Sequence, residues 1–472
     1  MLPDKLISVT SEMLRIILNS PKPSDKLLAS LLRENKNIGS KERRFISETI
    51  FTVMRNLTFI SNSSKNIFPQ LFFDNFRNEF LYVLSLLLLS DDDRLSWAYH
   101  PKQLLSKIYP NKDFQVVDFI LEIFNHKNFL TLEYRTNWIS NAATSSKSLS
   151  INYLENKYID DISSISEILS CPKWILDHVV EQGVSPSKFA ESLTVPANIC
   201  LRASDPSIYK HLENMLDGHG IVYSKSNMLP GCYILAQRAK IDNSEEYRKG
   251  FFEFQDEGSQ LIGLALSPNG KCTILDACAG AGGKTLQIAS LCPEADEIVA
   301  SDVEYLRIKE FSVRLRRYRH ENIAIKHAKS MNYEHLDNVF QGRMFDYVLI
   351  DAPCTGLGTA RRDPLKKFRV SEKLAEKMHL RQVEILDMYS KFVKPGGILV
   401  YATCSVLMHE NQNTVSKFLE SNPAFEPDRL KPVFELHGVY PEGLSDDAYC
   451  LTLFPHIHGT DGFFMARMKK RD

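Results

Sequence analysis

From Gly270 to its end the sequence alternates between short apolar runs and longer amphipathic ones. KCTILDAC, EIVASD, NIAIKHA, FDYVLIDA and GILVYATC are rich in Ile, Val and Leu, as strands covered on both faces are. Between them KTLQIASL, EYLRIKEFSVRLRRY, SEKLAEKMHLRQVEILDMYSKFV and ENQNTVSKFLES carry apolar residues at helix spacing. A chain that alternates in this way folds into a doubly wound, mainly parallel sheet, an α/β Rossmann-like architecture. The final runs AYCLTLFP and GFFMARMKK have no helix between them and predict a closing antiparallel pair.

With 472 residues the chain exceeds a single compact core, and the text before Gly270 reads differently. Residues 1–145 predict an all-α domain. Leu27, Leu28, Leu31 and Leu32 recur at helix spacing behind Ser24 and Asp25; Phe45, Ile46, Ile50, Val53, Met54 and Leu57 do so behind Ser40. The apolar stretch LYVLSLLLLS at 81–90 is shorter than the ~20 residues a bilayer requires, so it reads as a buried helix. SNAATSSKSLS at 140–150 is a small polar run, and residues 146–170 are the expected linker. Residues 171–250 mix helices (CPKWILDHVVEQ, PSIYKHLENMLDGHG) with short strands (ANICLRAS, CYILAQ) and predict a small α+β module. The doubly wound domain then occupies 251–472.

Bulk properties exclude several classes. A formal net charge of −1 provides no global attraction for a polyanion, so any nucleic-acid partner needs a local basic surface. The nine cysteines include no CxxC pair, which argues against a structural zinc or a disulfide framework and fits a reducing compartment. MLPDKLISVT lacks the basic and apolar regions of a signal peptide. A soluble, cytoplasmic monomer without metal is the expectation.

Three motifs carry the chemistry. ILDACAGAGGKTLQIA is strand, glycine turn and helix, with Gly280, Gly282 and Gly283 allowing close backbone approach to a ligand. Its spacing is neither GxGxxG nor a P-loop, which disfavours a dinucleotide or a triphosphate. Asp302 ends the second strand, where a carboxylate can accept both ribose hydroxyls. S-adenosylmethionine and other nucleotide ligands both remain compatible with this pair. DAPCTG at 351–356 and YATCSV at 401–406 each place a thiol just past an apolar strand. Free cysteines are usually buried packing residues. Two of them at matched sheet positions beside a ligand turn suit methyl transfer to C5 of a pyrimidine, where a thiolate adds at C6 and makes C5 nucleophilic. Asp351 can face the base edge, and Lys284 can reach the same crevice.

Together DACAGAGGKT, VASDVE, DAPCTGLGTARRDP, YATCSVLMHEN and GTDGFFMAR resemble the successive motifs of the RNA 5-methylcytosine methyltransferases of the RsmB/NOP2/Sun family, over roughly residues 170–472. The N-terminal SKERRFISETIFTVMRN is similar to the NusB-like domain of its bacterial 16S rRNA members. The resemblance implies that Cys404 is the nucleophile and that Cys354 assists product release. It implies that Cys278, Ala279, Gly280, Ala281, Gly282, Gly283, Lys284 and Asp302 hold S-adenosylmethionine, and that Asp351 sits between cofactor and base. The substrate it implies is RNA, rRNA first, with tRNA or DNA as alternatives; a cofactor-binding ribosome-assembly factor with little turnover is the rival of another class. The chain departs from the family pattern at Ala328 and Lys329, where an acid contacting the adenine end is usual, and at Ala281, where proline is common.

Two basic clusters are candidates for RNA contact. Arg314, Arg316, Arg317, Arg319 and His320 crowd one helix and read as a solvated face. Arg361, Arg362, Lys366 and Lys367, with Arg369, follow the Pro-Cys loop directly and are the expected phosphate contacts. Trp174, Tyr209 and Tyr318 read as core aromatics ahead of stacking residues, and His409, near Cys404, reads either as a base or, beside Glu410 and Asn411 at a helix start, as a surface residue.

Overall fold

The computed structural model describes residues 3–58, 161–318, 320–330 and 332–472. The apolar stretch at 81–90, the polar run at 140–150 and Arg319 therefore lie outside the described residues, as does most of the region that resembles a NusB-like domain. Two compact units divide the chain: residues 1–196 with 360–369, and residues 197–359 with 370–472. Among the described residues no helix is long and apolar enough to cross a membrane.

The described residues of the first unit are helical. Helices Pro3–Leu18, Ser24–Glu34 and Ser40–Arg55 bury Leu14, Ile17, Leu28, Phe45, Ile46, Ile50 and Val53; of the four helix-spaced leucines expected to pack, Leu28 is buried and Leu27, Leu31 and Leu32 are half-buried. Helices Ile162–Ile168, Lys173–Glu181 and Pro186–Ser192 belong to this unit too. The α+β module therefore begins at Ala197 rather than at Cys171.

The segment 360–369 belongs to the same helical unit, although the sequence assigns it to the catalytic region. Its cations do structural work there. Lys367 is fully buried and donates to the Arg55 carbonyl at 2.9 Å. Arg361 is buried as well and donates to the Pro196 carbonyl at 2.7 Å. Arg369 reaches the carbonyls of Ser20 at 2.8 Å, Lys22 at 2.9 Å and Ile17 at 3.2 Å. Of these, the Ile17 carbonyl lies in the last turn of helix Pro3–Leu18, where carbonyls lack an intrahelical donor. Arg361 and Lys367 thus tie the helical unit together, and their burial leaves little of either side chain to meet a phosphate.

In the second unit a small antiparallel sheet has the order β2-β3-β1-β4, built from β1 (Ile199–Ala203), β2 (Tyr223–Lys225), β3 (Cys232–Leu235) and β4 (Phe252–Phe254). Its fourth strand lies past residue 250, so the module borrows from what the sequence assigns to the next domain. The larger sheet has the order β10-β12-β9-β8-β5-β6-β7, with β11 paired to β12. Its strands are β5 (Thr273–Asp276), β6 (Glu297–Asp302), β7 (Ile323–His327), β8 (Phe345–Asp351), β9 (Val393–Thr403), β10 (Phe425–Pro427), β11 (Cys450–Leu453) and β12 (Phe463–Lys470). Strands β5 to β9 are the five expected, and they run parallel. The expected closing pair is β11 with β12, and β12 also joins β9 antiparallel. From β5 the chain steps outward to β6 and β7, then returns to β8 on the other side. The strand order reverses between β5 and β8, the place where open α/β sheets form a ligand crevice.

The helix Tyr305–Leu315 is mostly exposed, but the basic cluster at its end is not a solvated face. Glu253, on β4, is 1% exposed and gathers the cluster. Arg314 Nε donates to it at 2.9 Å, the Tyr318 hydroxyl at 2.7 Å, and Arg317 pairs with its other oxygen. Arg314 also donates to the Ala281 carbonyl at 3.2 Å, joining this buried ion cluster to the glycine turn. Only Arg316 of the cluster's described arginines is exposed. Removing the carboxylate would leave two guanidinium groups facing each other in a poorly solvated site. Glu253→Ala is expected to lower the unfolding free energy in urea by about 3 kcal/mol, whereas Arg316→Ala changes it by under ~0.5 kcal/mol.

Candidate active site

The crevice is built from four neighbouring strand ends. β8 and β9 pair in register up to Asp351 opposite Ala402, and β5 and β8 up to Asp276 opposite Leu349. β6 pairs beside β5 and ends at Asp302. Past these ends the sequence changes from apolar to small, polar and proline residues, so the backbone leaves the sheet and its side chains turn toward one crevice. Cys354 follows Pro353 after β8; Cys404 follows Thr403, the last residue of β9. Their sulfurs lie 3.3 Å apart, and both side chains are half-buried rather than packed away.

Glycine lets the loops approach this closely. Gly358 donates to the Cys404 carbonyl at 3.0 Å and accepts from Gly462 at 2.8 Å. A Cβ on Gly358 would sit 1.9 Å from the Gly462 carbonyl oxygen. The GTDGFF run near the end of the sequence thus braces the Pro-Cys loop from behind.

Lys284 opens the helix Gly283–Leu291 and donates to Asp351 Oδ2 at 2.6 Å, across the point where the strand order reverses. Burial works against its charge, but Asp351 outweighs that, with Cys404 and Asp276 adding to the effect, and the ammonium stays above its ordinary range. Cys354 is pushed well up, first by its hydrogen bond with Cys404, then by burial and by the charges of Cys404, Glu410 and Asp351. Cys278 is raised too, by burial and by the carboxylates Asp302, Asp276 and Asp351.

The turn from Cys278 to Gly283 is held from outside. Gly280 donates to Asp302 Oδ2 and Glu304 to Asp302 Oδ1, each at 2.8 Å. Each oxygen keeps a second acceptor position. Gly282 has φ +80° and a Cβ there would meet Phe311 at 2.0 Å, so glycine is required twice over. At the departure position, Ala328 is fully buried and its N–H continues the ladder to the Asp302 carbonyl; Lys329 is exposed.

Several working residues escaped the sequence reading. Asp276 ends β5 almost fully buried, accepts from Thr285 at 2.7 Å on Oδ2, and has no partner on Oδ1. Burial pushes it up to about 7, the Thr285 hydroxyl offsetting only part of this. An acidic residue closing the first strand was the available signal. His409 is half-exposed where the chain enters the helix Gln412–Ser421, whereas its neighbours Glu410 and Asn411 are fully buried. Asn411 accepts from the Thr403 hydroxyl at 2.6 Å and donates to the Ser405 carbonyl at 3.0 Å, bracketing Cys404.

Residues 263–469 match the family model of the 16S rRNA methyltransferase RsmB/F. Over these residues the chain is similar to the RsmB/F family of RNA methyltransferases. Among its relatives is the probable ribosomal RNA small subunit methyltransferase B of Bacillus subtilis, 29% identical over 66% of this chain and 69% of that protein. The mouse 28S rRNA (cytosine-C(5))-methyltransferase is 31% identical over 60% of this chain but only 36% of its own length. A methyltransferase homolog from Pyrococcus horikoshii has a solved structure with a TM-score of 0.55, 26% identity, and coverage of 67% of this chain and all of the other.

S-adenosylmethionine is the cofactor of this methyltransferase, and the residues present fit it. The orphaned Asp276 Oδ1 is a buried acceptor that a cationic ammonium would satisfy. The tight glycine turn leaves main chain, not side chain, against a ligand. Asp302 retains acceptor capacity for hydroxyl groups. A carboxyl raised in the folded state binds its proton more tightly there than in the unfolded chain. Its stabilising contribution is therefore complete below the unfolded value near 4 and lost as pH rises toward about 7. Asp276→Asn cannot titrate, so its stability relative to the wild type should rise between pH 4.5 and pH 7.5, by on the order of 2 kcal/mol in chemical unfolding of the cofactor-free protein.

Proposed function

We propose that this protein methylates C5 of a cytosine in RNA, rRNA being the first candidate, through a covalent bond from Cys404 to C6 of the base. The observation that carries this reading is the pair of sulfurs 3.3 Å apart beside the Lys284–Asp351 ion pair. A cytosine ring has no nucleophilic carbon of its own at C5. A thiolate adding to C6 supplies the electron pair that C5 needs. Lys284 favours the thiolate form of Cys404, since the charge of one acts on the other. Asp351 holds Lys284 in place and offers its carboxylate toward the base edge.

When bound, S-adenosylmethionine supplies the electrophilic methyl group. Cys278, Ala279, Gly280, Ala281, Gly282, Gly283, Lys284 and Asp302 would hold it, with Asp276 taking its ammonium. After transfer, C5 carries both a methyl and a proton. The proton leaves, the C5=C6 bond re-forms, and the C6–S bond breaks, its electron pair returning to Cys404. Cys354 stands against that departing sulfur and assists this second half. The target base has to leave its stack to reach the crevice. Of the basic residues after the Pro-Cys loop, Arg362 is exposed and Lys366 half-buried, and these two remain candidates for the flanking phosphates.

Replacing Cys354 by alanine should stop release before it stops attack. Incubated with the donor and total RNA from cells lacking the gene, C354A is expected to accumulate an RNA–protein adduct that peptide mapping assigns to Cys404. C404A and the double variant should form none, and turnover of each single variant should drop ~100-fold or more. Bisulfite sequencing of rRNA and tRNA treated with the wild type then names the substrate. An adduct on another residue, or trapping of DNA alone, would overturn the reading.

A further inference from the structure

The residue after each thiol donates to one and the same carboxylate. Thr355, next to Cys354, gives its N–H to Glu410 Oε1 at 2.7 Å and its hydroxyl to Oε2. Ser405, next to Cys404, gives its hydroxyl to the same Oε2. Gln382, on the helix Glu372–Ser390, adds an amide donor to Oε1 at 3.1 Å, and its Nε2 also meets the carbonyl of Pro353 at 3.0 Å. The main-chain oxygen of Glu410 accepts the Tyr401 hydroxyl at 2.7 Å, fixing the short turn to β9 itself.

Glu410 has no exposed surface at all. Burying a carboxylate is costly, and here four uncharged donors offset that cost. An apolar side chain would fill the space more cheaply. What an apolar side chain cannot do is accept from two separate loops at once. Each loop carries one thiol, and each donates from the position immediately after it.

We propose that Glu410 is the positioning residue of the thiol pair: its carboxylate ties the Pro-Cys loop to the Thr-Cys loop and so sets the distance from Cys354 to Cys404. The functional consequence rests on the reading that both thiols take part in the reaction; the geometric claim stands apart from it. The charge of Glu410 adds a second effect. It is one of the influences, after the Cys404 hydrogen bond and burial, that hold the Cys354 proton in place.

Two readouts separate these claims. Dibromobimane bridges only thiols a few ångströms apart, and mass spectrometry of the cofactor-free protein identifies which peptides it joins. The wild type should yield a Cys354–Cys404 bridge, and Glu410→Gln should reduce it ~10-fold or more, because an amide nitrogen cannot accept the hydroxyls that now converge on one oxygen. In turnover assays E410Q should keep the KM for RNA within about threefold while kcat falls ~100-fold, the loss expected when reacting groups shift by about an ångström. The Cys404 adduct should then persist on E410Q as it does on C354A. Glu410→Asp, which retains both acceptor oxygens, should recover part of the lost kcat. Ser405→Ala removes a single tether with no buried charge, and it should weaken bridging by about threefold even if E410Q fails to fold. Unchanged bridging in E410Q and S405A would overturn the proposal, as would a rise in KM with kcat intact. Absence of an adduct on C354A would instead count against the covalent reading, leaving the bridging result to decide the role of Glu410.

Discussion

Strands β8 and β9 pair in parallel with Asp351 opposite Ala402, and that pairing brings together two thiols that stand 50 residues apart in the chain. The length between them is taken up by the segment 360–369 and the helix Glu372–Ser390. A parallel pair requires such a crossover, since the chain must return to the same edge before it can run the same way again. The crossover is more than a connection. Gln382 on that helix donates to Pro353 and to Glu410, so the element that returns the chain also holds the two strand ends it has joined.

The second constraint is the reversal of strand order between β5 and β8. On either side of that reversal stand Asp276 and Asp351, and the ammonium of Lys284 reaches across to Asp351. A buried cation–carboxylate pair is a poor source of stability. In this crevice it fixes a positive charge beside Cys404 without leaving it free to move. The same logic applies further out, where Arg314 joins the Glu253 cluster to the Ala281 carbonyl and steadies the turn from the side away from the ligand.

The strands were legible because burial on both faces demands unbroken β-branched and aliphatic runs, and FDYVLID or GILVYAT cannot easily do anything else. The thiols were legible because proline and small residues end those runs abruptly. Charge was read poorly for one reason: sequence records that a residue is basic or acidic but not where it is buried. Lys367 meets the Arg55 carbonyl across 312 residues, and Arg314 and Glu253 meet across 61. Nothing local to RRDPLKKF or to EYLRIKEFSVRLRRY reveals those partners. Glu410 was missed on the same account, its donors arriving from the Pro-Cys loop, the Thr-Cys loop and a crossover helix. The small sheet suffered differently. Its outer strands Tyr223–Lys225 and Phe252–Phe254 are three residues each, too short to show a period.

Two sulfurs 3.3 Å apart cannot both carry a charge comfortably, because ionising one raises the cost of ionising the other. Chemically the side chains are identical, so the choice between them must come from their surroundings. Those surroundings are unequal. The charge of Lys284 acts on Cys404, while Glu410 and Asp351 both oppose loss of the Cys354 proton. In the proposed mechanism, a field of that shape would favour Cys404 as the nucleophile and keep Cys354 protonated until the first step is over. Bonding Cys404 to carbon, as proposed, would remove its negative charge and with it the electrostatic part of its hold on the Cys354 proton. Cys354 would then be easier to ionise at the stage when the product is released, which suits the order of roles proposed for the two thiols.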